Sequence, residues 1–148
     1  PTVYYNDGDK YLRLTSAMKA YYIGGSNDPD EDHIDVSLFP RNLSMVMGDS
    51  HGNTPFPFEH IRFICVNADG TNGKTYHDGF LDDGFCPGGL RIVYIFPSCW
   101  NSGRYKPDQS HMAYPTDSTP ETKGTCPDTH PRRIFQVQLE HQIALPDF

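Results

Sequence analysis

The stretch RIVYIFPSCWNSGRYKPDQSHMAYP, residues 91–115, begins as an alternating run of apolar and other side chains and ends rich in reactive and aromatic ones. Its first part predicts a β-strand, because successive side chains of a strand point to opposite faces of the sheet. Its second part holds the single tryptophan of the chain together with a cysteine and a histidine. A structural staple, a sugar-binding platform and a catalytic loop would each have this composition.

Alternation of the same kind recurs along the chain, whereas helical periodicity is nearly absent. Val, Ile, Tyr and Phe dominate the alternating runs, and turns rich in Gly, Pro, Asn and Asp separate them. We therefore expect one all-β domain, an antiparallel β-sandwich with long loops tied by disulfides. The predicted strands are residues 2–5, 10–15, 18–24, 34–39, 43–48, 60–66, 90–96 and 133–143.

The last predicted strand has the clearest two-sided pattern. Its sequence RIFQVQLEHQI alternates apolar and polar side chains over six consecutive residues. This alternation predicts that one face is buried and the other is solvated. The inward residues would be Phe135, Val137 and Leu139, and the outward ones Gln136, Gln138 and Glu140.

The charge of the chain restricts its partners. Its formal net charge is −7 at pH 7. Nucleic acids and anionic membrane surfaces attract clustered Lys and Arg, so we expect neither as a partner. No apolar run approaches the roughly 20 residues that a membrane-spanning helix needs.

Four cysteines, Cys65, Cys86, Cys99 and Cys126, lie in separate segments and form no C-x-x-C pair. This spacing disfavours a zinc knuckle or a thioredoxin-type site and indicates two disulfides formed in an oxidising compartment. We favour the pairs Cys65–Cys86 and Cys99–Cys126, since each would tie a strand end to the Gly/Pro-rich loop beside it. The N-L-S sequon at Asn42 is a predicted glycosylation site. We therefore expect a secreted, extracellular protein.

The main candidate for chemistry is a pair of histidines beside a carboxylate. A disulfide between Cys99 and Cys126 would draw their loops together and bring His111, Asp108 and His130 close to one another. Imidazole titrates near neutral pH, so a histidine next to a carboxylate can act as a general acid or base. These three residues are the candidate catalytic groups.

Aromatic side chains in the same loops are candidate substrate-binding residues. Trp100, Tyr105 and Tyr114 would offer rings on which the C–H faces of sugars stack. The structural alternative is that Trp100 and Tyr114 cap the hydrophobic core while His111 binds a loop carbonyl. The residue types are compatible with both interpretations.

The D-S-H segment at residues 49–51 is a candidate metal site. Asp49 and His51 are two residues apart, so on an extended backbone both side chains point the same way. A carboxylate and an imidazole so placed can hold a divalent metal, the one cofactor that the residues suggest, or form an acid/base pair with each other. Asp49 is also an alternative to Asp108 as the carboxylate partner of His111. The alternative is a polar turn that follows the strand predicted over residues 43–48.

Several segments resemble one known family in their order and spacing. Their most specific pieces are the motifs F-P-S-C-W, S-H-M-A-Y-P and C-P-x-x-H-P. The chain resembles a family of secreted, mostly fungal proteins known as the domain of unknown function numbered nineteen-ninety-six. The resemblance implies secretion and brings no established activity. The segments that carry it are FPRNLSMVMGD, FICV, CPGGLRIVYIFPSCWNSG, DQSHMAYP and CPDTHPRRIFQVQLE.

The chain departs from the family pattern in two places. The family domain usually begins upstream with an S-H-x-H segment, which has no match here. The resemblance therefore implies that residues 1–148 are the C-terminal two-thirds of a larger domain, able to associate with an N-terminal segment or another chain. Before M-A-Y-P the family has D-H-K-S-H where this chain has D-Q-S-H. His111 and His130 are then the matching histidines.

Two functions follow from these expectations. One is a secreted carbohydrate-active protein that acts on a glycan or cell-wall polysaccharide through a His/Asp site. The other is a non-catalytic module that binds glycan or matrix with the same aromatic residues. Metal dependence and glycan turnover would favour the first. Glycan binding that survives His111→Ala and fails with Trp100→Ala would favour the second.

Overall fold

The computed structural model describes residues 2–6, 8–24, 36–47, 60–76, 86–116 and 124–145. These residues form ten β-strands and no α-helix, so the predicted all-β fold is confirmed. None of them belongs to a helix that could span a membrane. The strands are β1 (Val3–Asn6), β2 (Tyr11–Leu14), β3 (Ser16–Ile23), β4 (Ile61–Val66), β5 (Asn72–Tyr76), β6 (Leu90–Ile95), β7 (Cys99–Trp100), β8 (Met112–Ala113), β9 (Arg132–Arg133) and β10 (Gln136–Ile143).

The described strands form three sheets. Strands β1 and β2 make an antiparallel hairpin, five strands pair in the order β3-β10-β6-β4-β5, and three short strands pair in the order β8-β7-β9. The β4–β6 pair is antiparallel and runs from Ile61 opposite Tyr94 to Cys65 opposite Leu90. Strand β10 lies inside the five-stranded sheet although it comes last in the chain.

The chain divides into two compact units. The first comprises Pro1–Ala20, Pro57–Tyr94 and Leu139–Phe148, and the second comprises Tyr21–Phe56 and Ile95–Gln138. The division falls inside β3, β6 and β10, so each of these strands contributes residues to both units. The expectation of a single domain that is part of a larger one stays a prediction.

A disulfide and two glycines organise the first unit. Cys65 and Cys86 are bonded, as predicted. The fully buried Val66 accepts a hydrogen bond from one glycine of the C-P-G-G turn and donates one to the carbonyl of the other, Gly89. Gly89 has a φ of 92°, and a Cβ there would clash with the carbonyl oxygen of Ile143. The turn therefore requires glycine at this position.

The second disulfide, Cys99–Cys126, also has the predicted pairing and lies in the second unit. Strand β7 is the centre of the three-stranded sheet, and Cys99 on it is fully buried. Ile95 is buried near Cys99 in the sequence, and Ile134 is buried near Cys126. The backbone N–H of Ile134 donates to the carbonyl of Ser98. The F-P-S-C-W motif thus supplies both a cross-link and part of the core.

Two predicted strands are wrong within the described residues. Residues 36–39 form only an isolated parallel bridge, from Ser37 to Ile134, and residues 43–47 form no strand. Asn42 lies between them with a φ of 62°, in the left-handed region, which interrupts an extended backbone. Conversely, β5 (Asn72–Tyr76) is a strand that is not among those predicted.

The predicted orientation of the last strand also needs correction. Gln136 is buried and only 4% exposed, whereas Phe135, Val137 and Leu139 are half-buried. His141, on the opposite face of β10 from Gln136, is also 4% exposed. Each face of β10 therefore carries a buried polar side chain, so its alternation does not separate core from solvent.

Candidate functional site

Trp100 is held in a fixed orientation by its neighbours in the second unit. It pairs with Met112 on one side and Arg132 on the other. Its indole N–H donates to the carbonyl of Gly103 at 2.9 Å, and the Asn101 side chain accepts the N–H of Gly103 at 2.8 Å. The guanidinium of Arg132 lies 5.8 Å from the ring centroid, within the range of a cation–π contact. The ring is thus ordered before any ligand binds.

A groove of about 570 Å³ lies beside this ring. Tyr105, 44% exposed, forms part of its lining, and so do the exposed side chains of Arg41 and Arg104. All of the groove belongs to the second unit. We call it the Trp100 groove; its described lining residues are Pro40, Arg41, Asn42, Leu43, Trp100, Ser102, Gly103, Arg104 and Tyr105.

His111 is fully buried, and both of its ring nitrogens contact the backbone. The N–H of Lys106 donates to Nδ1 at 3.3 Å, so Nδ1 is the acceptor. Nε2 therefore carries the proton of the neutral ring and donates to the carbonyl of Ser44 at 2.7 Å. Tyr105 packs its ring edge-on against the imidazole, with centroids 5.5 Å apart. This geometry favours the alternative in which His111 binds a loop carbonyl, and its catalytic role stays a prediction.

His130 lies near the same loop but also contacts backbone and hydroxyl groups. Its Nε2 is 3.2 Å from the carbonyl oxygen of Ser110, and its Nδ1 is 2.9 Å from the hydroxyl of Thr129. Asn101 donates to the same Ser110 carbonyl at 3.1 Å. The structure therefore brings His130 close to the residue before His111, without a direct hydrogen bond between the two imidazoles in the described contacts.

Asp108 closes a turn in the exposed loop before His111. Its carboxylate accepts the backbone N–H of Ser110 at 3.1 Å. The hydrogen bond from the backbone N–H of Ser110, and then the one from its side chain, hold the pKa of the Asp108 carboxyl below its usual range. Because both nitrogens of His111 are bonded to backbone atoms, Asp108 does not orient that imidazole.

Tyr114 is placed apart from the groove lining, on the core of the second unit. Its hydroxyl donates to the carbonyl of Ile95 at 2.8 Å, and burial raises its pKa. Of the three predicted aromatic residues, the structure brings Trp100 and Tyr105 together and uses Tyr114 for packing.

One wall of the groove is formed by residues 40–43. They begin the segment 40–47, which has no regular secondary structure and is tied to the loop before β8. The Ser44 carbonyl binds His111 across 67 residues of chain. The N–H of Val46 donates to the side chain of Gln109 at 3.0 Å, across 63 residues. Asn42, the predicted glycosylation site, is exposed on this wall. These two long-range bonds fix the position of the wall.

The predicted metal ligands Asp49 and His51 lie outside the described residues. Among the residues that are described, no group of three or more His, Cys, Asp or Glu side chains could hold a metal ion. The divalent metal therefore stays a prediction.

The sequence-based reasoning missed the arginines of the groove. Arg41 and Arg104 lie in loops that the aromatic pattern alone did not connect. Arg104 could have been found from the segment Gly103-Arg104-Tyr105, which places a cation directly between a glycine and an aromatic residue. Arg41 had no comparable signal, since its partners in the groove are about 60 residues away in the chain.

The fold and site define a disulfide-linked all-β protein with a preformed groove lined by aromatic and arginine side chains. The family described as Domain of unknown function (DUF1996) matches residues 1–148, so the chain belongs to this family. The expected family is thereby confirmed. A comparison with curated proteins finds no match, and a comparison with solved structures finds none either.

Proposed function

We propose that this protein is an extracellular, non-catalytic module that binds oligosaccharides in the Trp100 groove. The observation that carries this proposal is the indole of Trp100, fixed by its hydrogen bond to Gly103 beside the partly exposed ring of Tyr105. Rigid aromatic rings next to polar groups recognise the C–H face and the hydroxyls of a sugar at little cost in conformational entropy.

The size of the groove suits a small oligosaccharide. Its volume of about 570 Å³ lies within the roughly 300–1,000 Å³ typical of small-molecule sites. Asn42 and Ser102 contribute polar side chains to its lining. Amide and hydroxyl groups can each donate and accept hydrogen bonds, which suits sugar hydroxyls.

Binding is better supported than catalysis by the contacts of the polar residues. A general acid or base must reach the reacting group through a hydrogen bond. His111 is fully buried with both nitrogens bonded to the backbone, and the Asp108 carboxylate closes a turn. Neither side chain is left in position to transfer a proton to a ligand in the groove.

The extracellular location is supported by the two disulfides, which persist in oxidising compartments. The exposed sequon at Asn42 agrees with passage through a compartment where glycans are added. Its position on the groove wall also means that an attached glycan would lie beside the ligand.

The test is a glycan-array screen followed by calorimetric titration of the best ligand. Tyr105→Ala should weaken binding about tenfold or more, since aromatic residues at the centre of a site commonly contribute above 1–2 kcal/mol. Tyr22→Ala is the matched control, because Tyr22 belongs to the same unit, is 67% exposed and does not line the groove. The near-ultraviolet circular dichroism of each variant checks that its fold is retained.

Three results would overturn the proposal. The first is the absence of saturable binding to any glycan. The second is an equal loss of affinity in Tyr105→Ala and Tyr22→Ala, which would mean that the groove is not the site. The third is turnover of a bound glycan by the wild-type protein, which would restore the carbohydrate-active alternative.

A further inference from the structure

We propose that the Trp100 groove selects acidic oligosaccharides, with Arg41 and Arg104 pairing with carboxylate or sulfate groups on the sugar. This inference rests on the proposed function and names the ligand class of the same site. It follows from the charges that line the groove and from their contrast with the rest of the chain.

The groove is cationic in an acidic protein. The chain as a whole carries a formal net charge of −7. The described residues that line the groove nevertheless include two arginines and no carboxylate. A surface that is negative overall repels polyanions, so a local positive site confines their binding to one place.

The two arginines are available to a ligand. Both side chains are exposed, and within the described part of the chain neither has a carboxylate partner within ion-pair distance. Two arginines elsewhere are engaged: Arg91 pairs with Glu140, and Arg133 donates to the carbonyl of Gly124 at 2.8 Å. The groove arginines therefore need not break an internal ion pair to bind an anion.

A single acidic sugar can contact a guanidinium group and the aromatic side chains of the groove at the same time. A planar guanidinium binds carboxylate or sulfate through two parallel hydrogen bonds. The Arg132 guanidinium covers one face of the Trp100 ring and keeps a third positive charge next to the groove. A uronic-acid ring that packs against the aromatic side chains can then direct its carboxylate to Arg41 or Arg104. A neutral sugar can make the same stacking contacts without the ion pairs.

The experiment compares two acidic probes with an uncharged one. The first is an oligogalacturonate, the second is its methyl ester of the same length, and the third is a sulfated oligosaccharide of similar length. Binding to the wild-type protein is measured by isothermal titration calorimetry at low and high salt. The acidic form should bind several-fold tighter than its ester, and high salt should reduce that difference because screening weakens exposed ion pairs.

Arginine variants locate the effect. Arg41→Gln and Arg104→Gln should each lower affinity for the acidic probe by about two- to five-fold, as expected for exposed ion pairs, and lower affinity for the ester by less. The double variant should bind the acid and the ester equally. Arg13→Gln is the control, since Arg13 is exposed, belongs to the first unit and does not line the groove.

The outcomes separate this inference from the proposed function. If the ester binds as tightly as the acid and the groove variants have no effect, acidic selection is wrong while glycan binding stands. If Arg13→Gln weakens binding as much as Arg104→Gln, the attraction is non-specific and the inference is also wrong. If no probe and no array glycan binds, the proposed function fails with it. Preference for the sulfated probe over the carboxylate supports the inference and identifies the anion.

Discussion

Replacement of His111 by alanine gives the sharpest test of whether this histidine is structural. The change removes a fully buried imidazole that connects two segments far apart in sequence. It deletes the hydrogen bond to the Ser44 carbonyl at 2.7 Å and the one from the Lys106 N–H at 3.3 Å. It also removes the ring against which Tyr105 packs.

The expected loss of stability is about 3–4 kcal/mol. Each lost hydrogen bond contributes about 1 kcal/mol, and both backbone partners are left without their ring nitrogen. The space vacated by the imidazole adds about 1–2 kcal/mol, as in other large-to-small changes at buried sites. The variant His111→Gln keeps an N–H donor for Ser44 and should lose about half as much.

Urea denaturation with the disulfides oxidised measures this loss. Trp100 is the only tryptophan, so its fluorescence reports the unfolding of the second unit. His130→Ala is the matched control, because that imidazole is half-buried and its partners lie within the same exposed loops. It should cost about 1 kcal/mol.

A particular combination of results would refute the structural role. It is a His111→Ala protein with the stability of the wild type and no ligand binding or turnover. The imidazole would then act directly on the ligand, and the position of the groove wall would not depend on the hydrogen bonds of His111. Equal destabilisation by His111→Ala and His130→Ala would contradict the calculated difference between a buried and a half-buried ring.

Three further predictions concern the stability of the fold. The double variant Cys99→Ala/Cys126→Ala should lower the free energy of unfolding in urea by about 3 kcal/mol, because the disulfide closes a loop of 27 residues, and a change below about 1 kcal/mol would contradict this. Gly89→Ala should lower the free energy of unfolding by about 2 kcal/mol, since φ is 92° and the new Cβ meets a backbone carbonyl, so an unchanged melting temperature would be contrary evidence. Burial raises the pKa of Tyr114 in the folded protein, so above about pH 10 the unfolded chain loses the phenolic proton before the folded protein does. The free energy of unfolding therefore falls as pH rises, by up to about 1.4 kcal/mol per pH unit. Tyr114→Phe should make that alkaline decline shallower in pH-dependent urea titrations; some decline remains because burial also raises the pKa of Tyr94, and an unaltered slope would refute the assignment.

Much of the fold could be predicted from local patterns. The strands β4, β6 and β10 are long alternating runs, and the disulfide pairs follow from the strand ends and turns that flank each cysteine. The side of β10 that is buried could not be predicted in this way. An alternating pattern predicts one buried face, whereas β10 has a buried side chain on each face, Gln136 on one and His141 on the other.

The failure at residues 36–47 has a different cause. Their composition is strand-like, but a strand also needs a partner of matching register. Here the backbone turns at Asn42, and the segment is held by the isolated bridge at Ser37 and by single contacts with His111 and Gln109 rather than by a ladder. No local pattern encodes contacts of that kind.

The candidate site was predictable in part. Loop position and side-chain type were enough to select Trp100 and Tyr105. The same criteria selected Tyr114, which packs in the core, because a sequence does not show where a hydroxyl finds its acceptor. Arg41 was missed because it reaches the groove only through the folding of a distant segment.

The two hydrogen bonds that tie residues 40–47 to the loop before β8 have a consequence for the order of folding. They join groups 67 and 63 residues apart, whereas the β4–β6 and β1–β2 pairs join residues that are closer in sequence, at most from Ile61 to Tyr94. Closing a long loop costs more chain entropy and slows formation of the contact. The β1–β2 and β4–β6 ladders should therefore acquire protection from amide hydrogen exchange before the Trp100 groove exists. During refolding, competence to bind ligand should appear after these two ladders have formed.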